Sequence, residues 1–228
     1  MQLTHKSSNL IALTLSVPFT SVAATISLWI APGTIGQTVL VICQIWLLLL
    51  SIIWLLKIES KPLKISKPSN FDWITGTVIG LLMFATIIAV YWLLLRHWID
   101  VDIVRERLRK ITNIDRQTFV WGGAYFTLIN ALIEEYFWRW FVYSRCEKLV
   151  SGKIAVFLTA LFFTLHHTIG LAAFTDWRTT LIGSLAVLIA GVIWSEYYRR
   201  YRSIWSNYFS HAIADLALHI VAWQVFFG

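Results

Sequence analysis

The chain has 228 residues, of which 58% are hydrophobic and only 14% are charged, and its mean hydropathy is +0.69. This composition lies outside the range of soluble globular domains and is typical of proteins that cross a membrane several times. The formal net charge is +7, but the basic residues collect in connecting segments and no nucleic-acid reading motif accompanies them. We therefore exclude nucleic acid as a partner and expect contacts with the lipid bilayer.

A helix needs about 20 mostly apolar residues to cross a bilayer. The segments that meet this requirement are 10–30, 35–56, 73–95, 119–143, 154–174, 180–194 and 204–227. The sequence thus predicts an all-α fold, a polytopic membrane bundle of about seven transmembrane helices. Several tryptophans lie near the ends of these segments, and we assign them to the aromatic belts at the membrane surfaces. They are Trp54, Trp73, Trp92, Trp98, Trp194 and Trp205.

The polar insert 96–118 contains apolar residues at helical spacing between Val101 and Ile111, which predicts an amphipathic helix. Such a helix would lie on the membrane surface or connect two spans in solvent, and both readings stay open. With a cytoplasmic N-terminus, the loops 57–72, 144–153 and 197–203 lie inside and hold four, three and three Lys/Arg residues. This is the arrangement that the positive-inside rule prefers. The insert, with six, breaks the rule.

We divide the chain into two parts of one membrane domain. Residues 1–118 form N-terminal transmembrane helices with the interfacial insert, and residues 119–228 form the core helices. All three motifs that carry chemistry fall in the second part.

The fourth predicted span contains three ionisable residues, Glu134, Glu135 and Arg139, in an otherwise apolar and aromatic sequence. Ionisable groups are costly in hydrocarbon unless they are paired or face a cavity, so they indicate a functional site by default. Glu135 and Arg139 are i,i+4 neighbours that can form an ion pair. Glu134 lies about 100° away around the helix. We predict a supporting role for the ion pair and a chemical role for Glu134.

The fifth and seventh predicted spans add imidazoles. Each of the adjacent His166 and His167 follows a phenylalanine by four residues. Because neighbours on a helix diverge by about 100°, we expect only one of them to face the site easily, and we favour His167. His211 and Asp215 share a helix face at i,i+4 spacing, whereas His219 is expected to make a helix-to-helix contact. Three apolar helices thus each offer an acid–base cluster, and this combination is tolerated when the clusters meet around water or substrate.

The motifs occur in the order EExxxR, FxxxH and HxxxD. In this order the chain resembles the CAAX protease and bacteriocin-processing family of intramembrane peptidases, also called the type II CAAX prenyl endopeptidase family. The resemblance covers about residues 119–227. It implies a helical membrane fold around a water-accessible cavity and the hydrolysis of a peptide bond. The implied substrate is a membrane-associated peptide or protein, either prenylated or a precursor peptide.

The resemblance also implies roles for the motif residues. Glu134 would be the general base that activates water, and His166 or His167 would assist it. Glu135 and Arg139 would support the site.

The third motif would stabilise the oxyanion of the tetrahedral intermediate through His211 and the residue four positions later. That residue is Asp215, where the family admits either Asn or Asp. An ionised aspartate cannot donate a hydrogen bond to an oxyanion. We therefore assign Asp215 to orienting His211, and His211 to stabilising the oxyanion.

Three alternatives stay open. Glu134 and two histidines could bind zinc, which would activate water itself. Because the sequence has no His-Glu-x-x-His helix, we favour a metal-free mechanism without a cofactor. A membrane transporter would use the same groups as proton relays, although no pair of related halves is visible. A non-proteolytic immunity protein would use them only to hold helices together. We expect an integral, multi-pass protein of the bacterial inner (plasma) membrane.

Overall fold

The computed structural model describes residues 5–60, 62, 66–111 and 115–228, and within these ranges the chain forms helices and no strands. The predicted all-α fold is confirmed. The helices are α1 (His5–Thr14), α2 (Val17–Thr25), α3 (Thr34–Ile53), α4 (Asn70–Leu93), α5 (Val101–Ile111), α6 (Arg116–Ala124), α7 (Ala131–Glu135), α8 (Ser144–Cys146), α9 (Gly152–Phe174), α10 (Trp177–Tyr201) and α11 (Trp205–Phe227). Wider π-helical turns extend α2 over Ile26–Ile30 and α3 over Trp54–Ile58.

Helices α6, α7 and α8 form one continuous rod, because π-helical turns at Tyr125–Asn130 and Tyr136–Tyr143 join them. We call residues 116–146 the central helix. Its second half is deeply buried in the bundle, and Phe141 and Val142 are 0% exposed. Such wide turns are rare and often occur at functional sites. Here they flank α7, the short helix that carries the acidic pair.

Among the described residues, six helices are long and apolar enough to cross a membrane. They are Lys6–Ile30, Thr34–Ile58, Asn70–His97, Gly152–Phe174, Trp177–Tyr201 and Trp205–Phe227. The predicted fourth span, 119–143, is not among them, so the expected count of about seven becomes six by length and composition. Its ionisable and polar residues lower the hydropathy of the central helix, which packs its charged segment against other helices.

Ionic contacts gather three basic loops at one end of the bundle. Glu59 lies 2.9 Å from the Arg145 guanidinium and 3.1 Å from the Lys148 ammonium. Glu147 accepts hydrogen bonds from Arg202 at 2.5 and 2.6 Å, and these hold the pKa of the Glu147 carboxyl below its usual range. The loops near residues 59, 147 and 202 therefore lie together, at the end that we predict to be cytoplasmic.

Helix α5 lies across the opposite end. Arg107 donates to the carbonyl oxygens of Ala173 at 2.7 Å and Ala172 at 3.4 Å, where α9 ends. Val104 is buried in an apolar cluster with residues of α4 and α11. The predicted amphipathic helix is thus present, but it docks on the bundle, so it is not a connector surrounded by solvent. Residues 112–114 of the insert, like 61 and 63–65 of the predicted loop 57–72, lie outside the described residues.

The six predicted interfacial tryptophans differ in their exposure, and two of them, Trp98 and Trp205, are partly buried. Trp73 and Trp92 are 52% and 45% exposed, as an interfacial belt requires. Trp54 and Trp194 are only 6% and 3% exposed, so the prediction is wrong for both. Each packs in the main core. The sequence could not show this, because the position of a residue near the end of an apolar run does not reveal which way its side chain points.

Two glycines of α4 allow α11 to approach it closely. A Cβ atom at Gly76 would lie 2.6 Å from the carbonyl oxygen of Ser206, and one at Gly80 would lie 2.8 Å from Cβ of Ile213. Small residues four positions apart permit such close helix contacts in membranes. This contact fixes the position of α11, which carries His211.

Replacing Gly76 with alanine should therefore destabilise the protein. A methyl group at this position must push against the backbone of α11, and overpacking of this kind costs about 1–3 kcal/mol. The matched control is Gly122→Ala, because a Cβ there meets nothing within 4 Å and alanine favours the helix. Thermal unfolding in detergent should show a lower Tm for the first variant and an unchanged or higher Tm for the second. Equal values for both variants would contradict the close α4–α11 contact.

Candidate active site

The acidic pair of α7 faces imidazoles of α9 and α11. Oε1 of Glu134 lies 3.8 Å from Nε2 of His166, and its Oε2 lies 3.8 Å from Nε2 of His211. The Glu134 side chain is 17% exposed, so the carboxylate is sheltered but still accessible. Residues from three predicted spans therefore meet at one place in the bundle.

Glu135 is held from two sides. Its Oε2 lies 3.2 Å from Nε of Arg139, and its Oε1 lies 2.9 Å from Nδ1 of His211. The side chains of Glu135 and Arg139 are 0% exposed. Because an ionised carboxylate only accepts hydrogen bonds, Nδ1 of His211 donates to Glu135. The other ring nitrogen, Nε2, therefore points towards Glu134.

Asp215 lies beside the same ring nitrogen as Glu134. Its Oδ1 is 3.6 Å from Nε2 of His211, which is longer than a hydrogen bond. The contact that orients His211, which the sequence analysis assigned to Asp215, is made by Glu135. The i,i+4 spacing correctly placed Asp215 near the imidazole, but it could not show that a carboxylate of another helix lies closer.

Both histidines of α9 border the site, through different contacts. The ring of His166 stacks on Trp138 with centroids 5.4 Å apart. Nδ1 of His167 lies 2.9 Å from the carbonyl oxygen of Phe163, whose ring packs 4.3 Å from the imidazole. Glu134, His166 and His167 each offer a ligand atom within 4.8 Å of the others. The expectation that only one of the two histidines faces the site is therefore wrong. Both side chains point towards Glu134 on the central helix.

Glu134, His166 and His167 also form a donor set that zinc accepts. Two imidazoles and one carboxylate occur in catalytic zinc sites. The hydrogen bond of His167 Nδ1 to a backbone carbonyl is the support that metal-binding histidines usually have. Ligands at about 2.0–2.1 Å from one zinc ion lie roughly 3.3 Å apart, so the set fits in chemical type and would have to contract around an ion.

Two aromatic rings enclose the ion pair. The guanidinium carbon of Arg139 lies 4.7 Å from the ring centroid of Phe163 and 5.2 Å from that of Trp194. Trp194 also stacks on His211, with centroids 4.3 Å apart and an angle of 22° between the rings. Arg139 therefore has aromatic faces on two sides and Glu135 on a third, which reduces the cost of removing its charge from water.

The sequence analysis missed Trp194 as a site residue. The signal was a stripe of buried residues on α10 at i, i+3, i+4 and i+7, the spacing of one helix face. The stripe consists of Gly191, Trp194, Ser195 and Tyr198. Uniformly apolar sequence around these positions hides the stripe, because lipid-facing and core-facing residues of a membrane helix are both hydrophobic.

His219 does not reach the site. Its ring packs against Gly123 of the central helix and lies 5.4 Å from the ring of Phe119. This is the contact between helices that the sequence analysis expected of it.

Residues 116–217 match the family model described as Type II CAAX prenyl endopeptidase Rce1-like. The chain is similar to that family over this segment, which is a little under half of its length. The resemblance drawn from the three motifs is thereby confirmed, and the Rce1-like segment contains all seven predicted site residues. No curated protein and no solved structure shows a significant match to the chain. Together, the Rce1-like segment and the six apolar helices of the described residues support an integral, multi-pass membrane protein.

Within the Rce1-like segment, the two adjacent glutamates should differ in their effect on stability. Glu135→Ala removes the partner of Arg139 and of His211 at once, and breaking a buried pair costs about 3–5 kcal/mol. Glu134→Ala removes only the longer contacts of 3.8 Å and should cost much less. Thermal unfolding of both variants in detergent measures the difference. Equal destabilisation would show that Glu135 is not the structural partner.

Proposed function

We propose that this protein is an intramembrane endopeptidase that hydrolyses a peptide bond of a membrane-associated peptide or protein, with Glu134 activating water. The observation that carries the proposal is the position of the Glu134 carboxylate, 3.8 Å from an imidazole nitrogen on each of two other helices. Amide hydrolysis needs an activated water, a proton donor for the leaving amine and a stabilised oxyanion. One carboxylate between imidazoles can supply all three.

The distances support a division of roles. Glu134 takes a proton from water, whose oxygen attacks the carbonyl carbon of the scissile bond. The proton then passes to the leaving nitrogen, with help from His166 or His167, and the C–N bond breaks as the tetrahedral intermediate collapses to an amine and a carboxylic acid. Because Nδ1 is bonded to Glu135, Nε2 of His211 faces the developing oxyanion. It donates a hydrogen bond to the oxyanion when the ring carries a proton on each nitrogen, a state that the carboxylates of Glu134, Glu135 and Asp215 around the ring favour.

Glu135 and Arg139 do not contact the substrate in this scheme. Glu135 accepts the hydrogen bond from Nδ1 of His211 and stabilises the proton there, and Arg139 pairs with Glu135. Asp215, 3.6 Å from Nε2, adds negative charge beside the nitrogen that faces the oxyanion. We assign it to tuning that nitrogen and no longer to orienting the ring.

The proposed substrate class is a peptide or protein at the membrane, either prenylated or a precursor peptide. The family description supports a CAAX-type peptidase, and the site lies among apolar helices, where such a substrate would arrive from the bilayer. We propose the bacterial inner membrane as its location.

Glu134→Gln should abolish cleavage, because the amide has nearly the same shape as the carboxylate but cannot accept a proton from water. The measurement is a map of new peptide termini in the membrane proteome of cells that carry wild-type or variant protein. The matched control is Glu106→Gln, since Glu106 is 68% exposed on α5 and far from the acidic pair in sequence. We expect the same new termini in cells that carry the wild type and in cells that carry the control. These termini should be missing from cells that carry Glu134→Gln.

Full cleavage by the Glu134→Gln variant would overturn the proposal. Loss of cleavage with both substitutions, at equal amounts of folded protein, would show that the effect does not come from the site.

A zinc-dependent form of the same reaction is the second candidate, and the donor set of Glu134, His166 and His167 favours it. The metal-free proposal predicts that extensive treatment with a zinc chelator leaves cleavage within about twofold of the untreated rate, and that purified protein contains much less than one zinc ion per chain. Both rate and metal content are measured on the same sample. Loss of cleavage that added zinc restores, with stoichiometric metal, would decide for the zinc mechanism.

A further inference from the structure

Helix α10 contains none of the three motifs, yet it borders the site through Trp194. This side chain is 3% exposed and lies between the ion pair and the third motif. Its ring stacks on His211 at 4.3 Å and lies 5.2 Å from the guanidinium carbon of Arg139. One indole therefore touches both residues that share Glu135.

Hydrogen bonds fix the indole to α11. Its Nε1 donates to Oγ of Ser210 at 2.7 Å. The backbone carbonyl of Trp194 accepts from Nδ2 of Asn207 at 2.9 Å. Ser210 and Asn207 lie one and four positions before His211 on the same helix, so the indole is attached to the turn that carries the imidazole.

These contacts restrict the rotation of the imidazole ring, which the hydrogen bond to Glu135 alone does not. A single hydrogen bond at Nδ1 fixes one atom of the ring, but it leaves rotation about the bond axis. A stacked ring with only 22° between the planes restricts that rotation. The plane of His211 decides whether Nε2 points at Glu134 or away from it.

We propose that Trp194 is a positioning residue of the peptidase reaction, which holds the ring plane of His211 so that Nε2 faces Glu134 and the scissile carbonyl. This inference rests on the proposed function for its catalytic consequence. Its structural part, the fixed orientation of His211, does not depend on any substrate.

A tryptophan that served only to fill the core would behave like Trp54. Trp54 is 6% exposed and belongs to the same apolar core, but it has no ring contact with a site residue among those described. Trp54→Leu is therefore the matched control for Trp194→Leu, since both remove one buried indole.

The first measurement is the NMR spectrum of protein in detergent with ¹³C-labelled histidine, in which the His211 signal is identified by its loss in His211→Gln. Protons above the face of an indole are shifted upfield by its ring current. We expect the His211 ring signal to move downfield in Trp194→Leu and to stay in place in Trp54→Leu. Ser210→Ala, which removes the acceptor of Nε1, should cause a smaller movement.

The second measurement is cleavage of a substrate found by the mapping of termini. A ring that is free to rotate spends less time in the reactive geometry, and small misplacements of reacting groups are costly. We expect kcat to fall at least about tenfold in Trp194→Leu, with KM within about twofold of the wild type. Trp194→Phe keeps an aromatic face and should recover part of kcat.

An unmoved His211 signal in Trp194→Leu would overturn the proposal, and so would a moved signal with unchanged kcat. Equal loss of kcat in Trp54→Leu would reduce Trp194 to a packing residue. If Trp194→Leu does not fold, Trp194→Phe and Ser210→Ala carry the same comparison. A failure of the proposed function is recognised separately, because Glu134→Gln would then leave cleavage intact whatever Trp194 does.

Discussion

The carboxylate of Glu135 is the centre on which this site depends. It is fully buried, and it lies 3.2 Å from Arg139 on its own helix and 2.9 Å from His211 on α11. A charge in such a place is strongly destabilising unless it is paired. The pairing therefore makes the close approach of α11 to the central helix a condition of folding. The same contact sets the direction of His211, so stability and site geometry rest on one group.

The surrounding architecture supports that contact from outside. The glycines of α4 let α11 pack closely, and the aromatic rings of Phe163 and Trp194 cover Arg139 from α9 and α10. π-Helical turns on both sides of α7 change the direction of side chains along the central helix. Within α7, the neighbouring glutamates point to different surroundings because adjacent residues of a helix diverge by about 100°. Glu135 is enclosed by structural partners, whereas Glu134 faces the imidazoles and retains access.

This separation of two adjacent carboxylates is the feature on which the proposed hydrolase mechanism depends. One acid holds a histidine in place, and the proposal leaves the other for chemistry, as in other sites where two carboxylates receive different roles from their surroundings. The site is assembled from the central helix, α9 and α11, with α10 behind it. The basic loops and the docked α5 lie at opposite ends of the bundle, and neither contributes a group to the acid–base cluster.

The sequence by itself determined the class of fold, six of the seven expected spans and the candidate site residues, because hydropathy and the rarity of charge in apolar segments are local properties. The Glu135–Arg139 pair was predictable because both lie on one helix face, and so was the closeness of His211 to Asp215. Only the tertiary structure decided that Glu135 bonds His211, that both histidines of α9 approach Glu134, and that Trp194 stacks on the imidazole. Each of these is a contact between helices, and their relative rotation depends on close packing of glycines and aromatic rings. In a membrane, apolar residues face both lipid and core, so the sequence pattern carries little information about that rotation.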